Sequence, residues 1–279
     1  MELQFNFGGG LTGNVQLANV SDIEYLQIVE GFIPLVNDQN LKGRDAIATA
    51  FVLATELCPT ANPSDLWHHV IYRTYLREKV GTNPEQSWVR TSGEAFELAL
   101  VDRYNLVLAN HGVRLTSLIS KQDRQIALER MGLYGQIGSS KIDVLIEKHG
   151  TGSSPGDDNF GVVGGIHAKV SLAERVSDDI PASRIMMNEG YLSVLSTLDV
   201  KSFPPPHGDL VNRGELGSPA NPSDKRRYIE NHGDFSACFS YNLRTTPSQG
   251  ETPSGRRIFV CPFAGGEDIF TDYLITELN

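Results

Sequence analysis

Two segments near the middle of the chain alternate apolar and polar residues, and this pattern constrains the fold most strongly. Residues 142–147 read IDVLIE and residues 162–171 read VVGGIHAKVS. A period of two is the pattern of a β-strand with one face buried. Residues 150–159, which join the segments, are rich in Gly, Ser, Pro and Asp. The two segments are therefore predicted to form an antiparallel hairpin.

Helical patterns come before this hairpin. Ser21 opens a first helix with capping-box spacing, and residues 45–57 read as a second helix that stops before Pro59. Asn62 opens a third helix. In 92–110 an apolar residue recurs every four positions, and a glycine follows as a helix stop. The N-terminal third is therefore predicted to be helical.

Shorter elements follow the hairpin. A helix is predicted to start at 177–181, and strands are predicted within 192–200, 235–241 and 257–263, with a closing helix at 268–278. Together with the helical first third, these elements predict an α/β fold. We found no long linker, so residues 1–279 are expected to form a single domain.

Composition and charge exclude several classes of protein. A net charge of −10 is unlike the basic coat of a histone. The longest mostly apolar run, 46–57, is shorter than the roughly 20 residues that span a bilayer, and the N-terminus has no signal-peptide pattern. We therefore expect a cytoplasmic protein without a membrane segment. Cys58, Cys238 and Cys261 lie far apart in the sequence, which favours buried thiols over disulfides or a zinc site.

Asp143 and Lys169 are the residues whose placement suggests chemistry. They lie on neighbouring predicted strands, so both side chains can project from the same end of the sheet. Phosphodiester hydrolysis needs a divalent cation to activate water, and a lysine to position that water or to shield developing charge. Mg²⁺ needs only one or two carboxylates, and Glu97 is the second candidate. The alternative is a half-exposed cross-strand ion pair.

The same residues resemble a known signature. Asp143 followed by His167-Ala168-Lys169 resembles the PD-(D/E)XK nuclease motif, in the variant of type II restriction endonucleases that cut at CCGG. There a small or polar residue, here His167, replaces the acid two positions before the lysine. Three further blocks extend the resemblance over nearly the whole chain; they are 88–97, 178–183 and 203–210.

The resemblance implies a fold and three catalytic residues. The fold is a central mixed sheet flanked by helices. Asp143 would bind the metal, Lys169 would be the catalytic lysine, and Glu97 would be the acid from the preceding core helix. Relatives often place another metal-binding glutamate 13 or 14 residues after the lysine, where this chain has alanine and serine. We assign that role to Asp178, with Asp179 and Glu189 as alternatives, although Asp178 or Asp179 is also suited to capping the next helix.

The resemblance also implies an activity and its partners. The chain is expected to be a Mg²⁺-dependent type II restriction endonuclease that hydrolyses double-stranded DNA at a palindrome with a CCGG core, and ACCGGT is the favoured site. A twofold-symmetric site implies a homodimer on DNA. A cognate DNA methyltransferase is expected in the host.

Four residues are the candidates for DNA contact. The segment 169–175 resembles the part of these enzymes that reads the CCGG core. Glu174 can accept a hydrogen bond from cytosine N4, and Arg175 can donate two to guanine O6 and N7. Ser171 belongs to the same segment, and Arg90 is a candidate for phosphate. Without the resemblance, Glu174 and Arg175 would read as a solvated surface pair.

Two other functions remain open, and so does the role of one basic cluster. The chain could be a PD-(D/E)XK nuclease of repair or recombination, which recognises DNA structure. It could also be a binding relative that has lost the chemistry, although the intact Asp143 and Lys169 argue against this. The basic run 225–227 is a candidate phosphate contact, but such runs are usually solvated.

Overall fold

The computed structural model describes residues 1–7, 9–80, 83–138, 141–151, 159–173, 176–263 and 265–279. Within these residues lie a central sheet of six strands and two separate two-stranded sheets. The strands, in chain order, are β1 (Glu2–Asn6), β2 (Thr12–Gln16), β3 (Val113–Ser117), β4 (Val144–His149), β5 (Phe160–Lys169), β6 (Leu192–Thr197), β7 (Gly217–Ser218), β8 (Asn221–Pro222), β9 (Ala237–Ser240) and β10 (Ile258–Val260).

The central sheet is mixed, as the resemblance implied. Its strand order is β10-β9-β6-β5-β4-β3. Strands β3, β4 and β5 pair antiparallel, whereas β5, β6, β9 and β10 pair in parallel. The predicted hairpin is confirmed as β4 and β5, with Val144 opposite Ile166. Lys169, the last residue of β5, lies at the edge of the sheet where the parallel strands end.

Asp143 immediately precedes β4, one residue outside the strand. Its backbone is nevertheless held on both sides. The Asp143 amide donates to the carbonyl of Ile166 at 3.1 Å, and the Leu118 amide donates to the carbonyl of Asp143 at 2.9 Å. Because both backbone groups are engaged, the main chain fixes the direction of the aspartate side chain.

The helices are α1 (Asp22–Asn37), α2 (Gly43–Leu57), α3 (Pro63–Asp65), α4 (Tyr72–Glu78), α5 (Pro84–Leu108), α6 (Lys121–Arg130), α7 (Val176–Asn188), α8 (Asp224–Glu230) and α9 (Ile269–Leu278). A π-helical turn, Leu66–Ile71, joins α3 to α4. The predicted capping box of α1 is confirmed, since the Ser21 amide donates to Glu24 Oε2 at 2.8 Å and the Glu24 amide donates to Ser21 Oγ at 3.2 Å.

Two features of the N-terminal third differ from the prediction. The third is not wholly helical, because β1 and β2 form an antiparallel hairpin at its start. Helix α5 begins at Pro84, two turns before the predicted start at Ser92. Asn83 caps it by accepting a hydrogen bond from the Gln86 amide at 3.0 Å, and the proline occupies the first turn, where a missing amide hydrogen costs little.

Helices cover both faces of the central sheet. On one face, α2 and α5 pack with apolar sheet residues in a core that includes Phe51, Trp67 and Phe96. On the other face, Val176 of α7 and Ile229 of α8 pack against the sheet. Helices α5 and α7 thus approach the edge near Lys169 from opposite sides. This places side chains of both helices within reach of Asp143 and Lys169.

Burial confirms the prediction for the cysteines. Cys58, Cys238 and Cys261 are buried free thiols, as predicted. Among the described helices, none is both long enough and apolar enough to cross a bilayer.

The basic run 225–227 is not a solvated face throughout. Arg226 is fully buried, and its guanidinium lies 2.6 Å from Glu230 Oε1. The same guanidinium donates to the carbonyls of Leu216 and Thr246. Arg226 is therefore occupied inside the protein and unsuited to phosphate.

The buried pair predicts a measurable loss of stability. Glu230→Ala leaves the Arg226 guanidinium buried without its anion, so we expect the free energy of unfolding to fall by about 3 kcal/mol. The exposed pair of Arg227 with Asp224 provides the control, and Asp224→Ala should change stability by less than about 1 kcal/mol. Urea unfolding measures both. Equal losses in the two variants would contradict the assignment of Arg226 as a structural arginine.

Candidate active site

Asp143 and Lys169 meet at the edge of the sheet. Asp143 Oδ2 accepts a hydrogen bond from the Ala168 amide at 2.9 Å and another from Lys169 Nζ at 2.8 Å. Asp143 is 6% exposed. The contact is therefore a shielded one, unlike the half-exposed cross-strand pair considered from the sequence.

Asp179, in the first turn of α7, is the second carboxylate that reaches Lys169. Its Oδ2 lies 3.0 Å from Lys169 Nζ, and its Oδ1 lies 3.4 Å from Lys141 Nζ. Asp179 is buried, whereas Asp178 is exposed. Successive residues of a helix are about 100° apart, so only one of the two can face the sheet. The structure thus places Asp179 beside the lysine, in place of the predicted Asp178.

The lysine is held between these two carboxylates. Burial by itself would lower the pKa of Lys169, but the negative charges of Asp143 and Asp179 outweigh that effect and raise the pKa above its ordinary value. Lys169 is therefore protonated at neutral pH. Its ammonium group is a positive charge fixed at the edge of the sheet.

Glu97 approaches from α5 on the opposite side of the site. It is 4% exposed, and its Oε1 lies 4.0 Å from the guanidinium of Arg124. Burial and the negative charge of Asp143 raise the pKa of Glu97 to about 8. Both carboxyl groups line the same cavity, where the negative charge of Asp143 disfavours ionisation of Glu97.

The pair of Asp143 and Glu97 fits a hard divalent cation. Glu97 Oε2 is buried and has no hydrogen-bond partner among the described residues. A cation would satisfy this oxygen and would offset the repulsion between the carboxylates. In the described part of the chain, no three His, Cys, Asp or Glu side chains form a complete metal site.

His167 occupies the position where the motif usually has its second acid. The side chain is fully buried, and its Nε2 lies 3.0 Å from Ser193 Oγ. Burial lowers the pKa of His167 to about 4, so the ring is neutral at pH 7. A neutral imidazole cannot supply the missing negative charge, whereas Asp179 can.

A cavity of about 740 Å³ opens in front of these residues. Among the described residues, three basic and five acidic side chains line it: Arg90, Lys141, Lys169, Glu94, Glu97, Asp143, Asp178 and Asp179. The acidic excess favours cations inside the cavity. A polyanion could approach the floor only where basic groups or bound cations neutralise these acids.

The predicted DNA contacts are only partly described. Ser171 and Arg90 both line the cavity. Ser171 donates a hydrogen bond to Glu215 at 2.7 Å, which holds its hydroxyl at the cavity wall. Glu174 and Arg175 lie outside the described residues.

Sequence reasoning missed Lys141. Its signal in the sequence is its spacing, since Lys141 lies two residues before Asp143. The sequence indicates Asp179 only as an alternative to Asp178. Its selection over Asp178 depends on the rotation of α7, which the sequence leaves open by one residue.

Comparisons with known proteins identify the family of the chain. A family model described as BsaWI restriction endonuclease type 2 matches residues 118–260. The chain is 70% identical over 278 residues to the type II restriction enzyme AgeI of Thalassovita gelatinovora, and the match covers 100% of each protein. It is also similar to the crystal structure of a specific complex of restriction endonuclease AgeI with DNA, at a TM-score of 0.97 and 69% identity over 99% of each chain. The chain therefore belongs to the type II restriction endonucleases of the BsaWI family.

Proposed function

We propose that this endonuclease hydrolyses both strands of a palindromic DNA site with a CCGG core, with ACCGGT as the favoured sequence, and that it requires Mg²⁺. The observation that carries the proposal is the Lys169 ammonium group between the carboxylates of Asp143 and Asp179, with Glu97 at the same cavity. The similarity to the AgeI–DNA complex supports DNA as the substrate.

We assign the site to the PD-(D/E)XK type, with the third acid supplied by α7. Asp143 and Glu97 would hold the cation, and Asp179 takes the place of the predicted Asp178 as the third acid. A bound Mg²⁺ would lower the pKa of a water and neutralise charge on the phosphate. The buried, unpartnered Glu97 oxygen is the observation that supports this donor set.

Lys169 is the residue that acts on the reacting groups. Asp143 and Asp179 engage two of the three N–H groups of its protonated amine. The third can donate a hydrogen bond to the attacking water or to a phosphate oxygen, where the positive charge stabilises developing negative charge. Asp143 and Asp179 fix the position of this amine, at 2.8 and 3.0 Å. The amine is thus oriented before the substrate arrives, so its alignment costs little during the reaction.

Recognition is proposed to lie in the segment that follows Lys169. Glu174 and Arg175 have the chemistry to read C·G pairs, while Ser171 and Arg90 at the cavity would contact the DNA backbone. A palindrome is read by two copies of one site, so we propose a homodimer on DNA in which each subunit, a single domain of residues 1–279, cuts one strand. A methyltransferase that protects the same sequence is the expected partner in the host cytoplasm.

A plasmid digest tests the proposal. One plasmid carries two ACCGGT sites, and a matched plasmid carries ACGCGT in their place. With Mg²⁺ we expect two fragments from the first plasmid and none from the second, and EDTA should abolish cutting until Mg²⁺ is restored. Uncut DNA in Mg²⁺ would contradict the activity. Fragments unrelated to CCGG would favour a nuclease that recognises DNA structure.

A further inference from the structure

Lys141 has a distinct position at the floor of the cavity. It precedes Asp143 by two residues and lines the same cavity as Lys169. Its Nζ lies 3.4 Å from Asp179 Oδ1, and its side chain is 30% exposed. Because the side chain is partly exposed, its ammonium group can contact a ligand bound in the cavity.

Asp179 does not depend on Lys141 for its counter-ion. Its other oxygen already lies 3.0 Å from Lys169 Nζ. The 3.4 Å separation from Lys141 exceeds the 2.7–2.9 Å that is usual for a charge-assisted hydrogen bond. A loose, partly exposed pair of this kind contributes little to stability. The ammonium group of Lys141 therefore keeps its capacity to bind another anion.

The cavity needs such a group if DNA is to enter. Acidic side chains outnumber basic ones along the part of its wall that the structure describes. The Lys169 ammonium is already enclosed by two carboxylates, and its side chain is only 15% exposed. Arg90 is exposed and comes from α5, on the other side. Among the described residues that line the cavity, Lys141 is thus the basic group placed beside the Asp143–Lys169 pair and still open to the cavity.

We propose that Lys141 is a second lysine of the cleavage site that binds a phosphate of the DNA backbone next to the bond that is cut. This inference rests on the proposed function. It adds a binding residue that neither the motif nor the resemblance assigns. Lys141 is a positioning residue here, because it holds the strand while Lys169 acts on the reacting groups.

The salt dependence of DNA binding tests the proposal. Affinity is measured on an ACCGGT duplex with Ca²⁺ in place of Mg²⁺, over a series of KCl concentrations, for wild type, Lys141→Gln, Lys141→Ala and Lys141→Arg. A lost phosphate contact lowers the slope of log Kd against log salt by about 0.9. We expect this decrease in slope in both neutral variants, together with about tenfold weaker binding. The arginine variant should have the wild-type slope and the wild-type affinity.

Lys148→Gln is the matched control, because Lys148 lies on β4 away from the cavity and contacts the carbonyl of Leu278. It should keep the wild-type slope. An unchanged slope in the neutral Lys141 variants overturns the proposal, even if their affinity falls, since that result indicates a structural contact. Wild-type cutting on the same duplex in Mg²⁺ separates this failure from failure of the proposed function.

Discussion

Asp143→Asn is expected to reduce the rate of DNA cleavage at least about a thousandfold. The asparagine oxygen can still accept the hydrogen bond from the Ala168 amide, so the local backbone should stay in place. The negative charge is lost, and with it the main attraction for a cation and one of the two partners of Lys169. Single-turnover cleavage of a one-site plasmid in Mg²⁺ measures the effect.

Binding should persist in this variant. Affinity for an ACCGGT duplex in Ca²⁺ is expected to stay within about tenfold of wild type, because base reading is assigned to other residues. Asp224→Asn on the exposed surface of α8 makes the same change in charge and should cut normally. Cleavage by Asp143→Asn at more than a tenth of the wild-type rate would remove Asp143 from the proposed centre.

The hairpin that positions Asp143 could be predicted because its signal is local. Alternation in 142–147 and 162–171 fixes which side chains share a face, whether or not the strand boundaries are right. Strand β4 begins at Val144, two residues after the predicted start, yet Asp143 and Lys169 still lie on one face. Side chains alternate between the two faces of a strand, and this alternation does not change when the ends of the strand shift.

The choice between Asp178 and Asp179 could not be made in the same way. In a helix, a change of one residue rotates a side chain by about 100°, so the buried face depends on how the helix packs. Asp178 and Asp179 are both first-turn residues of α7, where acids are common for local reasons. Only packing of α7 against the sheet shows that Asp179 turns inward.

Other differences come from contacts between distant parts of the chain. Arg226 has a surface-like sequence context, but the carbonyls of Leu216 and Thr246 enclose it, and no local pattern predicts them. The start of α5 has a local signal, because Asn83 is a capping residue and Pro84 follows it. The apolar repeat, however, is regular only from residue 92 onward. Sequence patterns thus predict the structure best where the geometry of an element depends only on its own residues.

A pair of neighbouring substitutions tests the assignment of the third acid. Asp179→Asn is expected to slow cleavage about a hundredfold, because Lys169 loses a charged partner at 3.0 Å and its amine is no longer fixed. Asp178→Asn changes the charge of the same helical turn by the same amount. Its side chain is exposed, so the rate should stay within about threefold of wild type.

Single-turnover rates in Mg²⁺ compare the two variants, and thermal unfolding checks that each is folded. A salt-dependent effect of equal size in both would mean that the acids act only through the general potential of the cavity, which falls with screening. A large loss confined to Asp178→Asn would return the role to the residue chosen from the sequence. If direct contact with Lys169 determines which carboxylate contributes to cleavage, only Asp179→Asn loses activity.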